Sequence, residues 1–192
     1  MSALRTSGVA LLLCTVLAVG GCALAPLGHP VPSMANIAAA RSADLPPMAL
    51  GPFQLAAGKS PVLDQRVSIR SNNLYSPYSS SFSAYLRETL ATDLRAAGLL
   101  DSASTTIVSG ELTDSRIDVP TGTASATVAA RFTVTRGGAT LYVKELRART
   151  TWASGFVGAE AVPMAVNHYE QLYRQLVASF LGDAELQAAV RR

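Results

Sequence analysis

Between Ala124 and Thr135 the chain alternates. Ala126, Val128, Ala130, Phe132 and Val134 share one parity, and Ser125, Thr127, Arg131, Thr133 and Thr135 share the other. A strand turns successive side chains to opposite faces, so one face of this segment is core and the other is wet or lightly covered. Arg136-Gly-Gly-Ala139 follows, and its paired glycines suit a tight hairpin turn. The return strand, Thr140 to about Trp152, changes phase between Val143 and Leu146. This hairpin commits the chain to an antiparallel sheet with one face to cover.

Two amphipathic helices supply the cover. Phe82, Tyr85, Leu86, Leu90, Leu94 and Ala97 form one stripe. Ser79, Ser80 or Ser81 serves as N-cap, and Gly98 closes the helix with Leu99 placed to pack back on Leu94. The second helix begins near Pro163, a favoured first-turn residue, and carries Val166, Tyr169, Leu172, Tyr173, Leu176, Val177, Phe180 and Leu181. Gly182 stops it, and Asp183 caps a last piece, Ala184 to Val190. Upstream, Met48 to Ala56 and Arg66 to Arg70 read as short strands, and Leu74 to Ser81 as a polar approach to the first helix. Thr105 to Val119 is a long strand whose apolar parity passes from Val108 and Leu112 to Ile117 and Val119, which places a bulge between Thr113 and Arg116. The predicted fold is α+β: a mainly antiparallel sheet of about five strands with two long helices packed on one face, in the order ββαβββα.

The amino end is of another kind. MSALRTSG, with Arg5, precedes the apolar run Val9 to Val19, which is too short for a bilayer span of ~20 residues and has the length of a signal-peptide core. Val19-Gly-Gly-Cys22 resembles the bacterial lipobox, in which the cysteine thiol receives a diacylglyceryl group and cleavage occurs just before it. The resemblance implies a signal peptide over residues 1–21, lipidation of Cys22, and a membrane held through that anchor. Ala23 is not the Asp that resembles an inner-membrane retention signal, which favours the outer membrane, facing the periplasm. Residues 22–47 contain Pro26, Pro30, Pro32, Pro46 and Pro47 and read as a semi-extended tether with a reach of at most ~80 Å, in which Met34 to Arg41 can form a helical turn or two. Residues 48–192 are the single periplasmic domain.

Composition narrows the chemistry. Both cysteines lie within the first 22 residues, so the domain has none for a disulfide, a zinc site or a nucleophile. There is no G-x-S-x-G, no phosphate loop, no G-x-G-x-x-G and no H-E-x-x-H. The two histidines, His29 and His168, are too few for a metal site without converging carboxylates, and His168 reads as a helix-surface or partly packed residue more than as a general base. Glu88, Asp93, Asp114, Asp118 and Glu145 are scattered. The expectation is a non-enzyme without metal or cofactor. The formal charge of +3 falls by one when Arg5 leaves with the signal, too small an excess to argue for nucleic acid.

Two surface features stand out. Arg131, Arg136, Lys144, Arg147 and Arg149 all fall on the central hairpin, either as a basic strip for headgroups, sugars or an acidic protein, or as solvated charges that protect an edge strand. Trp152 and Phe156, in Trp152-Ala-Ser-Gly-Phe156, either cap the core or anchor a partner.

The layout of lipobox, tether, helix Phe82-Ser-Ala-Tyr-Leu-Arg-Glu-Thr-Leu-Ala-Thr-Asp-Leu-Arg-Ala-Ala-Gly98, strand Ile107-Val-Ser-Gly-Glu-Leu112, glycine hairpin and a C-terminal helix ending in Asp183-Ala-Glu-Leu resembles the YajG-type family of bacterial lipoproteins. That resemblance implies an outer-membrane lipoprotein with a small α+β domain and no catalytic residues to carry over. In size and layout the chain also looks like the auxiliary lipoproteins of ABC-type lipid transport systems and the small lipoprotein partner of the lipopolysaccharide-assembly barrel. The expected function is a lipid-anchored, non-catalytic interaction module with an envelope protein as partner, supporting envelope assembly or integrity. An auxiliary subunit of an envelope lipid-transport system is the alternative.

Overall fold

The computed structural model describes residues 24–191, so the predicted signal peptide and Cys22 lie outside the described residues. In chain order the elements are β1 (Leu24–Pro26), α1 (Met34–Ser42), β2 (Ala49–Leu55), α2 (Val62–Gln65), β3 (Val67–Ile69), β4 (Asn72–Tyr75), α3 (Phe82–Ala97), β5 (Thr106–Asp118), β6 (Gly122–Arg136), β7 (Ala139–Ser154), α4 (Gly158–Leu181) and α5 (Ala184–Val190). The class is α+β, as expected. The main sheet has the order β2-β5-β6-β7, and a second, smaller sheet has the order β1-β4-β3. β2 runs parallel to β5, whereas β5, β6 and β7 are antiparallel neighbours. The strands thus divide four and three between two sheets, where one sheet of about five was expected.

The alternation of β6 works as the period requires. Ala126, Val128, Ala130, Phe132 and Val134 are buried on the inner face, and α3 and α4 lie across that face. Phe132 stacks on Phe180 of α4 with centroids 4.5 Å apart. Between the helices Tyr85 meets Tyr173 edge-on at 4.9 Å, and Phe82 meets Tyr169 at 5.6 Å. Such aromatic pairs add about 0.5–1.5 kcal/mol each beyond their buried area. Where Phe53 of β2 lies over β5, the residue beneath is Gly110, because a Cβ there would stand 2.5 Å from the ring. The ring reaches across to Phe132, 6.4 Å away.

The β5 bulge is at Thr113. Leu112 pairs with Ala130 and Asp114 with Ala129, which leaves Thr113 as the extra residue. The phase change turns Ser115 inward, where its hydroxyl meets the buried hydroxyl of Tyr169. Burial pushes the Tyr169 phenol up to about 12, so it stays neutral. In β7 the irregularity is at Leu141, between the pairs Thr140–Thr135 and Tyr142–Val134, and not between Val143 and Leu146. From Tyr142 onward one parity faces inward without a break, and Val143 is exposed on the outer face.

Two other expectations are corrected. α4 begins at Gly158, so Pro163 is inside the helix. Ala159, Glu160 and Ala161 are good helix formers, and the bond that Pro163 forfeits is only one turn from an end where amides are unpaired anyway. The tether assigned to residues 22–47 is also not a tether where it is described. β1 pairs with β4, and α1 packs on α3 and α4, burying Leu27, Ile37, Ala40, Ala43 and Leu45. Asn36 donates to the buried Asp93 carboxylate at 2.7 Å, and the Ser33 amide donates to the same carboxylate at 2.8 Å. Arg41 donates to the carbonyls of Ala96 and Ala97 at the end of α3. Pro26 ends β1, and Pro30, Pro32, Pro46 and Pro47 fall between these elements, where they fix φ without interrupting hydrogen bonding.

Candidate functional site

The register of the main sheet arranges its outer face. Glu111, Arg131 and Glu145 occupy one cross-strand row, Asp114, Ala129 and Arg147 the next, and Arg116, Thr127 and Arg149 the one after. Arg131 contacts Glu111 at 3.2 Å and Glu145 at 4.0 Å. Arg147 contacts Asp114 at 2.8 Å and Glu145 at 3.4 Å, and Asp114 also holds Arg116 at 2.9 Å. The predicted basic residues therefore do not make one strip. Arg131, Arg147 and Arg149 share the outer face, but the first two sit in a lattice of alternating charge that brings Asp114 and Glu145, scattered in the sequence, together with Glu111. Exposed ion pairs of this kind contribute little to stability, about 0–1 kcal/mol each. What they do is fix the directions of long side chains.

The other two basic residues go elsewhere. Arg136 donates to Thr106 Oγ1 at 3.0 Å and to the Val190 carbonyl at the end of α5. Lys144 has the inward parity of Tyr142, so it leans toward α5 and contacts Glu185 at 2.8 Å and Asp183 at 2.9 Å. Its hydrogen bonds to Glu185 and Asp183 hold the ammonium well above the ordinary lysine range. Burial pushes the Asp183 carboxyl up, but hydrogen bonds from Lys144 and from the amides of Leu186 and Glu185 outweigh it, and the group ends below the ordinary carboxylate value.

Beyond the charge lattice a groove of about 770 Å³ opens between the α2–β3 segment and the last rows of the outer face. Val62, Leu63 and Ile117 give it apolar walls, and Arg66, Arg116 and Arg149 line it with guanidinium groups. Among the described residues neither Arg66 nor Arg149 has a carboxylate within ion-pair distance. Guanidinium forks over an apolar wall suit an amphipathic anion, because the fork matches a phosphate or carboxylate and the wall takes hydrocarbon. Arg66 and Arg116 were not singled out in the sequence. Their meeting with Arg149 depends on the bulge register and on where β3 lies, neither of which is a local pattern.

Trp152 and Phe156 have separate fates. Trp152 is buried on the inner parity, its ring stacked on His168 at 4.5 Å with 20° between planes. Phe156, on the β7–α4 connection, is 84% exposed. Beside it is a residue without any sequence signal, Arg70, the first of the two residues that turn β3 into β4, with φ 54°. A side chain at positive φ is uncommon, and here it serves a purpose. The Arg70 guanidinium donates to the carbonyls of Val119 at 3.1 Å, Phe156 at 2.8 Å and Gly155, and to Ser154 Oγ at 3.3 Å. Three connections are tied together at one end of the molecule. Among the described residues no group of three His, Cys, Asp or Glu side chains converges as a metal site.

No protein-family model and no curated protein matches the sequence. Among solved structures the chain is similar to a Xanthomonas campestris protein of the family DUF330, with TM-score 0.56 and 9% identity over 86% of this chain and 96% of that one. It is also aligned with a minor lipoprotein from Acinetobacter baumannii, at TM-score 0.40 and 11% identity over 73% of this chain and 95% of the other. A Caulobacter crescentus protein described as a candidate lipoprotein gives TM-score 0.44 and 12% identity over 57% and 83%. The first similarity establishes a shared fold.

Proposed function

We propose that this protein is a lipid-anchored periplasmic module of the bacterial outer membrane, attached through Cys22, which binds an envelope protein and supports envelope assembly or integrity without catalysis. The observation that carries the reading is the outer face of the sheet. Both long helices lie on the opposite face, and the exposed side carries an ordered lattice of arginines and acids beside the exposed Val143. A patterned surface of both signs selects a partner and fixes its register more than it adds affinity. The lipoprotein character rests on the lipobox, and the YajG-type relationship rests on layout.

The groove favours a second reading, an auxiliary subunit of an ABC-type envelope lipid-transport system, because its arginines and apolar walls suit an anionic lipid. One experiment addresses both. A photo-crosslinking residue is placed at Val143 in the full chain in intact cells, with one at the exposed Gln171 of α4 as control. The expected result is a discrete adduct from position 143 that Arg147→Glu abolishes. A permease or ATPase in that adduct would move the second reading to the front. Identical smears from 143 and 171 would overturn the use of the outer face.

A further inference from the structure

The end of the molecule gathered by Arg70 is also the end at which the chain enters the fold. β1 runs parallel to β4, with Leu24 opposite Asn73, so the start of β1 lies beside the turn that holds Arg70. Cys22 precedes Leu24 by two residues, a reach of at most about 7 Å. Arg70 in turn holds the carbonyl of Phe156. The start of β1, the β3–β4 turn and the Phe156 tip are therefore neighbours, and the anchor residue is two residues along the chain from the first.

We infer that this end is a membrane-docking surface, in which the Phe156 and Val157 side chains enter the lipid interface beside the acyl chains on Cys22. The inference rests on the lipidation reading and deepens it by naming the part of the domain that meets the bilayer. Phe156 at 84% and Val157 at 53% exposure are consecutive apolar side chains at the tip. Water is a poor solvent for them, and the acyl boundary a good one. The backbone there is prepared for a medium of low polarity, because Arg70 already satisfies the carbonyls of Gly155, Phe156 and Val119. The adjoining β5–β6 connection, Val119-Pro-Thr121, bears no charge itself, and the exposed Asp118 directly before it ends β5. Glu160, in the first turn of α4, is the nearest acid along the chain, and it is exposed on the helix and free to remain in the headgroup layer. The acyl chains make the association cooperative. Once they are inserted, the tip is confined within a few ångströms of the interface, and its own small affinity acts at high effective concentration.

The opposite end supplies the control. The β6–β7 hairpin turn lies roughly 45 Å away along β6. Processing leaves Cys22 as the only native cysteine, and its thiol is blocked by lipid, so Phe156→Cys and Thr140→Cys accept one environment-sensitive fluorophore each. Both positions are exposed, and the fold does not depend on either side chain. The lipidated proteins are reconstituted into vesicles of phosphatidylethanolamine and phosphatidylglycerol with brominated acyl chains, and palmitate incorporation is followed separately, with Cys22→Ser as the unlabelled reference. The label at 156 is expected to shift to the blue and lose most of its fluorescence to the bromines, while the label at 140 is unchanged. Palmitate incorporation with no quenching at 156 overturns the docking surface and leaves the anchor standing. Equal quenching at 156 and 140 overturns the end-on arrangement. Absence of palmitate from the wild type removes the anchor and the inference with it.

Discussion

Gly98 holds φ 78° at the end of α3, and the amides that follow close the helix: Leu99 bonds to the Leu94 carbonyl at 2.8 Å and Gly98 to the Arg95 carbonyl at 3.1 Å. This is the six-to-one and five-to-two pair of a Schellman closure. No atom lies within 4 Å of where a Cβ would stand, so the requirement for glycine is in the backbone alone. Gly98→Val is therefore expected to destabilise the domain by at least about 1 kcal/mol, since a β-branched residue resists the left-handed region. Gly98→Asn, which tolerates that region better, should lose less. Urea denaturation of the two variants measures the difference, and an unchanged midpoint for the valine variant would contradict the assigned closure.

At the scale of elements, the contact between β7 and α5 has a defined pH signature. Asp183 caps α5 by accepting from the Glu185 and Leu186 amides, and it pairs with Lys144. Its carboxyl lies below the ordinary value of 3.8, so its contribution is complete above that pH and is lost as pH falls through the lowered value. Lys144 is raised, so its contribution is complete below 10.5 and is lost only as the medium becomes more alkaline still. Asp183→Asn keeps an N-cap acceptor and removes the charge. Its urea midpoint should fall short of the wild type at pH 7, and the gap should narrow as the pH is taken below 4. A gap that stays constant across that range would mean the charge is not what holds α5 to β7. Legibility divides along the same line of local against distant causes. The stripes of α3 and α4, the β6–β7 hairpin and the Thr113 bulge are visible in the sequence because each is a local period or a break in one. The helical turns of α1 are legible over Met34 to Arg41, but its docking is not, because Asn36 is fixed by Asp93 and the Arg174 carbonyl. β1 and β4 are not legible, because Leu24–Pro26 becomes a strand only by pairing with Asn72–Tyr75, which itself needs β3 on its other side. For the candidate surface, parity places Arg131, Arg147 and Arg149 together, whereas Lys144 is set apart by an irregularity at Leu141, earlier than the phase change read between Val143 and Leu146. The acids Glu111 and Asp114 join them through a β5 register that no residue count supplies.

Taken whole, the molecule includes the segment that its prolines make look like a linker. Leu27, Ile37, Ala40, Ala43 and Leu45 are all buried, and the contacts of α1 span both long helices. A chain beginning at Met48 is expected to melt below one beginning at Ala23 and to bind a hydrophobic dye, because it uncovers the α3–α4 surface and removes Asn36 and Ser33 as partners of Asp93. Equal melting temperatures would return residues 24–47 to the role of a tether. The same segment has a consequence in time. A ribosome delivers β1 and α1 early, yet Asn36 bonds to the carbonyl of Arg174 and the Gly28 amide to Glu170, partners more than a hundred residues downstream. Contacts of such long sequence separation slow folding and leave the early hydrocarbon uncovered meanwhile. The opening segment can meet β4 and α3 once half of the chain is made, but its closure on α4 waits for nearly all of it.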